Sequence, residues 1–454
     1  MLRLHDTATG AVRPFEPRDP GRVAMYVCGP TVYDVPHLGH GRFVLVFDVL
    51  RRYLEWSGYE VRYVSNITDV DDNIIQRANA EGRSESEVAL QYEAVWYEAT
   101  DGLGVRRPDV DPHATAYVDH MVDLVEQLVE RGCAYETGDG VYLSVDSVPG
   151  YGLLARQSLD SLQHGARVEV DDEKRSPVDF ALWKKVKPGE PSWPSPWGPG
   201  RPGWHTECVV MALDLLGDGF DIHGGGQDLA FPHHENERAQ ALAMGRSFAR
   251  HWVHNGWVMV GGEKMSKSLG NYTSLVDLLE RVDGRAYRLL VLRSHYRSPL
   301  EVTPDTTADA SSALERLDNL VRRAAEEALP HAAPDAGALD RFRTAMDDDL
   351  DTPAALAVLF DAVRQANSAL DAGDPVGAAP LFATVQELAG AMGLVLGADD
   401  EVADPETAAL VAARDEARAG RDWAAADAAR DELVARGWVV EDTPTGTRVR
   451  RRRN

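Results

Sequence analysis

Three small groups of residues in this 454-residue chain have types and spacings that could do chemistry. The first is Pro36-His37-Leu38-Gly39-His40, where two histidines three apart share one face of a helix start. Gly39 lets a flat ligand approach the backbone, and a helix N-terminus offers N–H donors and positive potential to a polyphosphate. The second is Lys264-Met265-Ser266-Lys267-Ser268, which follows Gly261-Gly262 and precedes Leu269-Gly270-Asn271. Two ammonium groups on a glycine-flanked loop can close over phosphates and neutralise charge that develops in a transition state. The loop is not a P-loop, because G-x-x-x-x-G-K-[ST] is absent. The third group is metal-like. His233 and Glu237 stand four apart in Phe231-Pro232-His233-His234-Glu235-Asn236-Glu237, so an imidazole and a carboxylate face the same way. With Cys28 and Cys208 they make a two-sulfur, one-nitrogen, one-oxygen set that suits tetrahedral zinc, and His234 is a rival ligand that spacing does not exclude.

Each group alone has a plainer explanation in surface histidines, solvated lysines or a small core cysteine. One count weighs against it for the loop: the chain holds only six lysines, Lys174, Lys184, Lys185, Lys187, Lys264 and Lys267, and two fall within four positions. Where arginine so outnumbers lysine, a position that stays lysine is a candidate for needing it.

The elements that must position these groups read as an α/β fold. Arg22–Val27 is a short apolar strand ending at Cys28-Gly29-Pro30, a helix is predicted from about Gly39 to Trp56 with Phe43, Val46, Phe47, Leu50 and Leu54 on one face, and Val61–Val64 is the next strand. Strand, turn, helix and strand predict a Rossmann-like parallel sheet whose ligands bind beyond the strand C-termini. Residues of about 108–202 interrupt it as an insertion, with a helix near His113–Arg131, a strand at Gly140–Ser144 and a Pro/Trp-rich stretch at Pro188–Trp204. The sheet resumes at Phe220-Asp221-Ile222-His223 and runs into Gly224-Gly225-Gly226. The catalytic unit is expected over 1–300, a helical bundle over 301–396 (helices Thr306–Leu329, Ala338–Met346, Pro353–Ala372 and Ala378–Met392), and a small C-terminal unit over 405–454. That last unit is a helical hairpin closing at Gly437, a strand at Trp438–Val440 and a basic tail, Arg448–Arg453.

Composition is that of an ordinary folded protein, with 44% hydrophobic and 26% charged residues. No stretch approaches a membrane span and the N-terminus lacks an apolar signal core, so the expectation is a cytoplasmic protein with no membrane partner; a monomer is expected, though no sequence feature fixes the oligomeric state. Three cysteines cannot form a disulfide framework; Cys133 reads as a buried helix-end residue. The net charge of −26 argues against a polyanionic partner, but local charge decides such contacts, and Arg414, Arg418 and Arg421 recur at helical spacing ahead of the arginine tail.

Taken together, the groups resemble the signatures of the class I aminoacyl-tRNA synthetases, His37-Leu38-Gly39-His40 matching HIGH and Lys264–Ser268 matching KMSKS. More narrowly the chain is similar, nearly end to end, to the cysteinyl-tRNA synthetase family. The resemblance is carried by Tyr26–Asp34, Asn66–Asp72, Arg201–Cys208, Phe220–Gly226, Phe231–Glu237 and Asp422–Asp427. It implies a KMSKS-type loop region at about 255–300, an anticodon-binding-type unit at 405–454, and one zinc ion per chain on Cys28, Cys208, His233 and Glu237. It puts His37 and His40 on the ATP phosphates, Gly224, Gly225 and Gly226 near the adenosine, and Lys264 with Lys267 on the transferring phosphates. Thr68, Trp204 and Asp228 match positions around the substrate L-cysteine. The implied reaction is ATP-dependent and AMP-forming: cysteine and ATP, carried with Mg²⁺, give cysteinyl-adenylate, and the acyl group passes to tRNA(Cys). Trp423 and Trp438 are then available to stack on bases. Two positions depart from the family: Asn73 stands where lysine usually follows the Asp-Asp pair, and Val449 where tryptophan commonly precedes the basic tail.

The alternatives are a mycothiol-type ligase, which passes activated cysteine to an aminosugar and lacks the anticodon-type end, and a non-catalytic relative. Retention of both histidines, both lysines and all four ligand positions argues against the second. In-line attack at the α-phosphate needs positioning and charge more than a covalent nucleophile. Lys267→Ala is therefore expected to slow adenylate formation far more than it raises the KM for cysteine, and pre-steady-state kinetics showing equal losses would remove the transition-state role.

Overall fold

The structure is a computed structural model and describes residues 1–157, 174–264, 273–397, 405–443 and 446–451. Four parallel strands form the central sheet in the order His251–Asn255, Ile222–Gly226, Arg22–Val27, Glu60–Val64. The strand that comes first in the chain therefore lies inside the sheet, with the second strand on one side and the third on the other. That reversal is a topological switch point, and the crevice beyond it is where an open α/β sheet receives ligands. Cys28 follows the first strand there, and Gly224–Gly226 end the third. Val23, Met25, Tyr26 and Val27 are all buried, as a strand covered on both faces requires.

The helix Leu38–Trp56 crosses behind the sheet and stops at Ser57 and Gly58, the latter at φ 97°. Its predicted face, Phe43, Val46, Phe47, Leu50 and Leu54, is buried. Arg42, Asp48 and Arg51 are buried as well, which no apolar periodicity signals. Arg42 Nη1 donates to Trp257 O (2.6 Å) and Nη2 to the carbonyls of Tyr296 (3.1 Å) and Ser298 (2.5 Å). Those carbonyls stand just ahead of Val258–Val260 and Leu300–Glu301, which pair in parallel, while Val258–Val260 also pairs with Glu263–Lys264. One guanidinium thus fixes the root of the lysine loop to the histidine helix.

Within the insertion, an antiparallel sheet runs Ala134–Glu136, Gly140–Leu143, Phe180–Lys185, Gly200–Pro202. The single helix expected at His113–Arg131 is a 3₁₀ turn, Ala114–Tyr117, followed by an α-helix, Val118–Glu130. Cys133 lies beyond that helix and is half-buried, not buried as expected. Lys184 Nζ (2.6 Å) and the Arg201 guanidinium of this sheet both reach Asp72. Asn73 turns back to Asp71 Oδ1 instead (Nδ2 at 2.7 Å), so the cations beside the Asp-Asp pair come from the insertion.

The bundle helices are Pro304–Glu326, Ala336–Asp347, Thr352–Asp371 and Pro375–Ala391. Each except Thr352–Asp371 begins two or three residues before the apolar periodicity, because Thr303, Asp335 and Asp374 cap their first turns; Asp351 caps Thr352–Asp371. In the last unit, helices Pro405–Ala419 and Trp423–Ala435 pack against a hairpin. Two sequence expectations fail here. The basic tail is a strand over Gly446–Arg451, paired antiparallel with Trp438–Thr443, because Thr447 and Val449 alternate with arginines at the period of a strand. Trp438 is only 3% exposed and packs inside, unlike Trp423 at 61%; Arg414 is buried too, its Nη1 bonded to Thr447 Oγ1 (2.5 Å), so neither belongs to an open RNA face. Arg452 and Arg453 lie outside the described residues. No described helix is long and apolar enough to cross a membrane.

The largest electrostatic commitment between these layers is Arg288–Asp48, a fully buried pair at 2.6 Å joining the helix Gly284–Leu292 to Leu38–Trp56. Burial alone would raise the Asp48 carboxyl, but Arg288 and Arg52 hold it below the usual carboxylate range. Arg288 also donates to Met392 O (3.3 Å) and Gly104 O (2.9 Å), so the bundle hangs on the same group. Removing one member of a buried pair typically costs about 3–5 kcal/mol. Arg288→Met is expected to lower the urea midpoint accordingly, and an unchanged midpoint would show that the pair holds nothing.

Candidate active site and metal centre

At the switch point Gly29 is forced by space, since a Cβ there would lie 1.6 Å from Asn66 O. Gly224 is forced likewise, by the Phe47 ring at 2.2 Å. The first of the three glycines is thus explained by helix–sheet packing whatever else it meets. Asp228 is exposed and folds back on Gly226, where a Cβ would lie 2.5 Å from its Oδ1.

His37 and His40 are not simply two residues on one helix face. His37 is the N-cap, with extended backbone (φ −103°, ψ 172°); its Nδ1 accepts from His40 N–H and the Nδ1 of His40 accepts from His37 N–H, both at 3.2 Å. The rings stack with centroids 3.7 Å apart. Since both Nδ1 atoms are acceptors, each neutral ring carries its proton on Nε2. Backbone bonds also tie the site to the far end of the lysine loop: Leu38 N–H donates to Thr273 O (3.4 Å) and Leu275 N–H to Pro36 O (2.8 Å). Lys264 ends the short strand Glu263–Lys264, whereas Lys267 and the remainder of the loop lie outside the described residues.

Cys28, Cys208, His233 and Glu237 converge beneath the strand ends, all buried, each offering an atom within 4.8 Å of the others. The sulfurs are 3.6 Å apart, Cys208 Sγ is 3.7 Å from His233 Nε2, Cys28 Sγ is 3.4 Å from Glu237 Oε1, and His233 Nε2 is 2.9 Å from Glu237 Oε1. Zinc bonds of about 2.0–2.3 Å give tetrahedral edges of about 3.3–3.8 Å, so this donor set fits one zinc ion with little adjustment. A π-type turn over Ala230–His234, with Phe231 extended, delivers His233 to the cluster, and the regular helix Glu235–Ala243 then supplies Glu237 one turn on.

The charges are those of a cation site. Burial resists ionisation of Cys208, but hydrogen bonds from Cys28 and His233 outweigh it and bring the thiol down to about 6. Burial, then the bond to Cys208, pushes Cys28 well up. Burial opposes a charged Glu237, yet His223 and His233 hold it well below its ordinary value; burial likewise opposes a charged His233, and the Glu237 carboxylate raises it to about 10. A proton on His233 thus stands between a thiolate and a carboxylate, where a metal would displace it.

Trp204, about one-third exposed, stacks on His233 with centroids 4.1 Å apart and roofs the cluster. Thr68 lies beside it: its hydroxyl donates to Glu207 Oε2 (2.7 Å) and accepts from Asn66 Nδ2 (3.1 Å), while Asn66 Oδ1 is 3.7 Å from Cys208 Sγ. Asn66, His205, Glu207 and His223 lie in stretches that carry the family resemblance but had no role assigned from the sequence, and His254 lies outside those stretches.

Family models match the chain in three stretches: the class I (C) tRNA synthetase catalytic domain over residues 14–312, a DALR domain over 341–397, and the cysteinyl-tRNA ligase anticodon binding domain over 400–450. A cysteine–tRNA ligase of Halorhodospira halophila is 50% identical, covering all of both chains. The chain belongs to the cysteine–tRNA ligase family. Another member, from Alkalilimnicola ehrlichii, is 49% identical over 99% of this chain and 100% of its own. In fold, the chain is similar to Mycobacterium tuberculosis methionyl-tRNA synthetase with methionyl-adenylate (TM-score 0.61, 16% identity, 82% of this chain and 89% of that one). It is also similar to an Agrobacterium radiobacter LeuRS–tRNA–LeuAMS complex (TM-score 0.62, 12% identity, 84% and 85%).

His205 Nδ1 lies 2.9 Å from His233 Nδ1, so a metal-binding Nε2 on His233 requires its Nδ1–H to donate to His205. Burial holds His205 well below its ordinary value and keeps it a neutral acceptor. His205→Phe should weaken zinc affinity about 10–100-fold in chelator competition, with His205→Gln restoring part of it through its amide oxygen. Equal affinity in all three would show that the partner is dispensable.

Proposed function

We propose that the chain activates L-cysteine with ATP and Mg²⁺ to cysteinyl-adenylate and transfers the acyl group to tRNA(Cys), with zinc on Cys28, Cys208, His233 and Glu237 selecting the substrate thiol. The observation that carries this reading is the buried donor set of two sulfurs, a nitrogen and an oxygen roofed by Trp204, beside Thr68. Cysteine and serine differ by one atom, which an ordinary pocket separates poorly. Zinc bound there supplies a partner for the soft thiolate that an alcohol, protonated at neutral pH, cannot match.

The remaining roles belong to the chain itself. The two Nε2–H groups of His37 and His40 point a pair of neutral donors at phosphate oxygens. Lys264 and Lys267 bring cationic charge to the transferring phosphates, and Gly224–Gly226 with Asp228 line the nucleotide and amino-acid side of the crevice. No catalytic base is needed, because the attacking group is already a carboxylate. For the acceptor, the match of residues 400–450 to an anticodon binding domain favours tRNA over an aminosugar.

Two assays test this together. Cysteine-dependent ATP–pyrophosphate exchange should vanish in Cys208→Ala, and the intact enzyme should charge tRNA but no aminosugar with cysteine. Normal exchange in the Cys208→Ala chain would remove zinc on this donor set from the account, and an aminosugar product would replace the acceptor.

A further inference from the structure

Beneath the donor set just described lies a second one. Cys28, His223, His234 and Glu237 also offer one ligand atom each within 4.8 Å of one another, and all four are buried. Cys28 Sγ is 3.3 Å from His234 Nε2, and Glu237 Oε2 is 2.5 Å from His223 Nε2. The outer partners of these imidazoles set their ring protons. His223 Nδ1 is 3.2 Å from Tyr26 O, a carbonyl that can only accept, so Nδ1 carries a proton, and the Nε2 contact with Glu237 is a hydrogen bond whose proton a metal between the two atoms would displace. His234 Nδ1 is 2.8 Å from His254 Nε2, and His254 Nδ1 is 2.7 Å from Thr7 Oγ1. Because the Thr7 hydroxyl can accept, a run of donors from His234 through His254 to Thr7 is open to this chain, and in that tautomer the His234 Nε2 lone pair is aimed at Cys28. Metal-binding histidines carry such outer acceptors, which fix the tautomer and orient the ring. The upper set has one of them, His205 behind His233; partners of the same kind, Tyr26 O and His254, stand behind His223 and His234.

We propose that the chain holds a second, deeper position for a thiophilic divalent cation, formed by Cys28, His223, His234 and Glu237 and exclusive of the upper one because the two share Cys28 and Glu237. This rests on the reading that the upper set binds zinc. The upper position opens towards Trp204, whereas the lower is packed under Trp252, whose ring centroid is 5.0 Å from that of His223 and 5.7 Å from that of His234. An ion in the lower position is retained but out of reach of a substrate thiol, so loss of an upper ligand removes cysteine activation without removing the metal.

The test uses full-length chains stripped with chelator and reloaded with Co²⁺. Wild type should take up about one ion per chain with an intense thiolate-to-cobalt band. Cys208→Ser/His233→Gln should also hold about one, with that band reduced to about half because one thiolate remains, and adding His223→Gln/His234→Gln should cut affinity by more than about tenfold. A folded Cys208→Ser/His233→Gln chain that binds no Co²⁺ overturns the proposal. Should that variant fail to fold, Cys208→Ala alone serves: adding His223→Gln/His234→Gln to it must weaken binding, and unchanged affinity overturns the deep position. A wild-type chain without metal would sink the upper reading as well, whereas one ion in wild type and none in the variants sinks only the lower.

Discussion

Ionisable groups sealed from water persist only when each nitrogen, oxygen and sulfur is answered by another group, because an unanswered one costs more than a neighbouring leucine could return. Six such side chains, Cys28, Cys208, His223, His233, His234 and Glu237, sit at the switch point with almost no exposure. Their partners come from the ends of three parallel strands, from the helix Trp204–Leu216, and from the turn and helix that follow the third strand. The sheet order, the tight passage at Gly29 and the π-type turn at Ala230–His234 are all conditions for bringing those atoms within reach. Apolar packing holds the domain together, but this cluster decides which arrangement of that packing is useful.

The same rule operates at a second level, in buried arginines. Arg42 spends its donors on carbonyls at the start of the small sheet, and Arg288 spends its donors on Asp48 and on carbonyls of the neighbouring layers. A buried guanidinium has planar, directional donors and accepts few substitutes, so each of these residues fixes the relative placement of elements far apart in sequence. The helix Leu38–Trp56 is located twice by such contacts, once against the lysine loop's root and once against the bundle.

Legibility followed the physics. Strands and helices with clean periods, Arg22–Val27, Leu38–Trp56 and the four bundle helices, could be read from the sequence, as could the thiols, the His233/Glu237 pair and the two signatures. Missing were helix starts set by capping residues ahead of the apolar pattern and the strand character of a segment that looked like a charged tail. The inward-facing Trp438 and Arg414 were missed as well. The partners of the candidate metal site could not be assigned either, since the contacts of His205, His223 and His254 depend on neighbours brought in by the fold and not on any spacing along the chain. Choosing between His233 and His234 as ligand also needed three dimensions, in which both reach the cluster by different sides.

The roots of the lysine loop carry a further consequence. The chain leaves at Lys264, from a strand paired with Val258–Val260, whose start Arg42 holds, and returns at Thr273, whose carbonyl accepts from Leu38. Both tethers end on the helix that carries His37 and His40. The two ends of the loop are therefore placed by one element, so a shift of that helix would carry His37, His40 and both loop ends together.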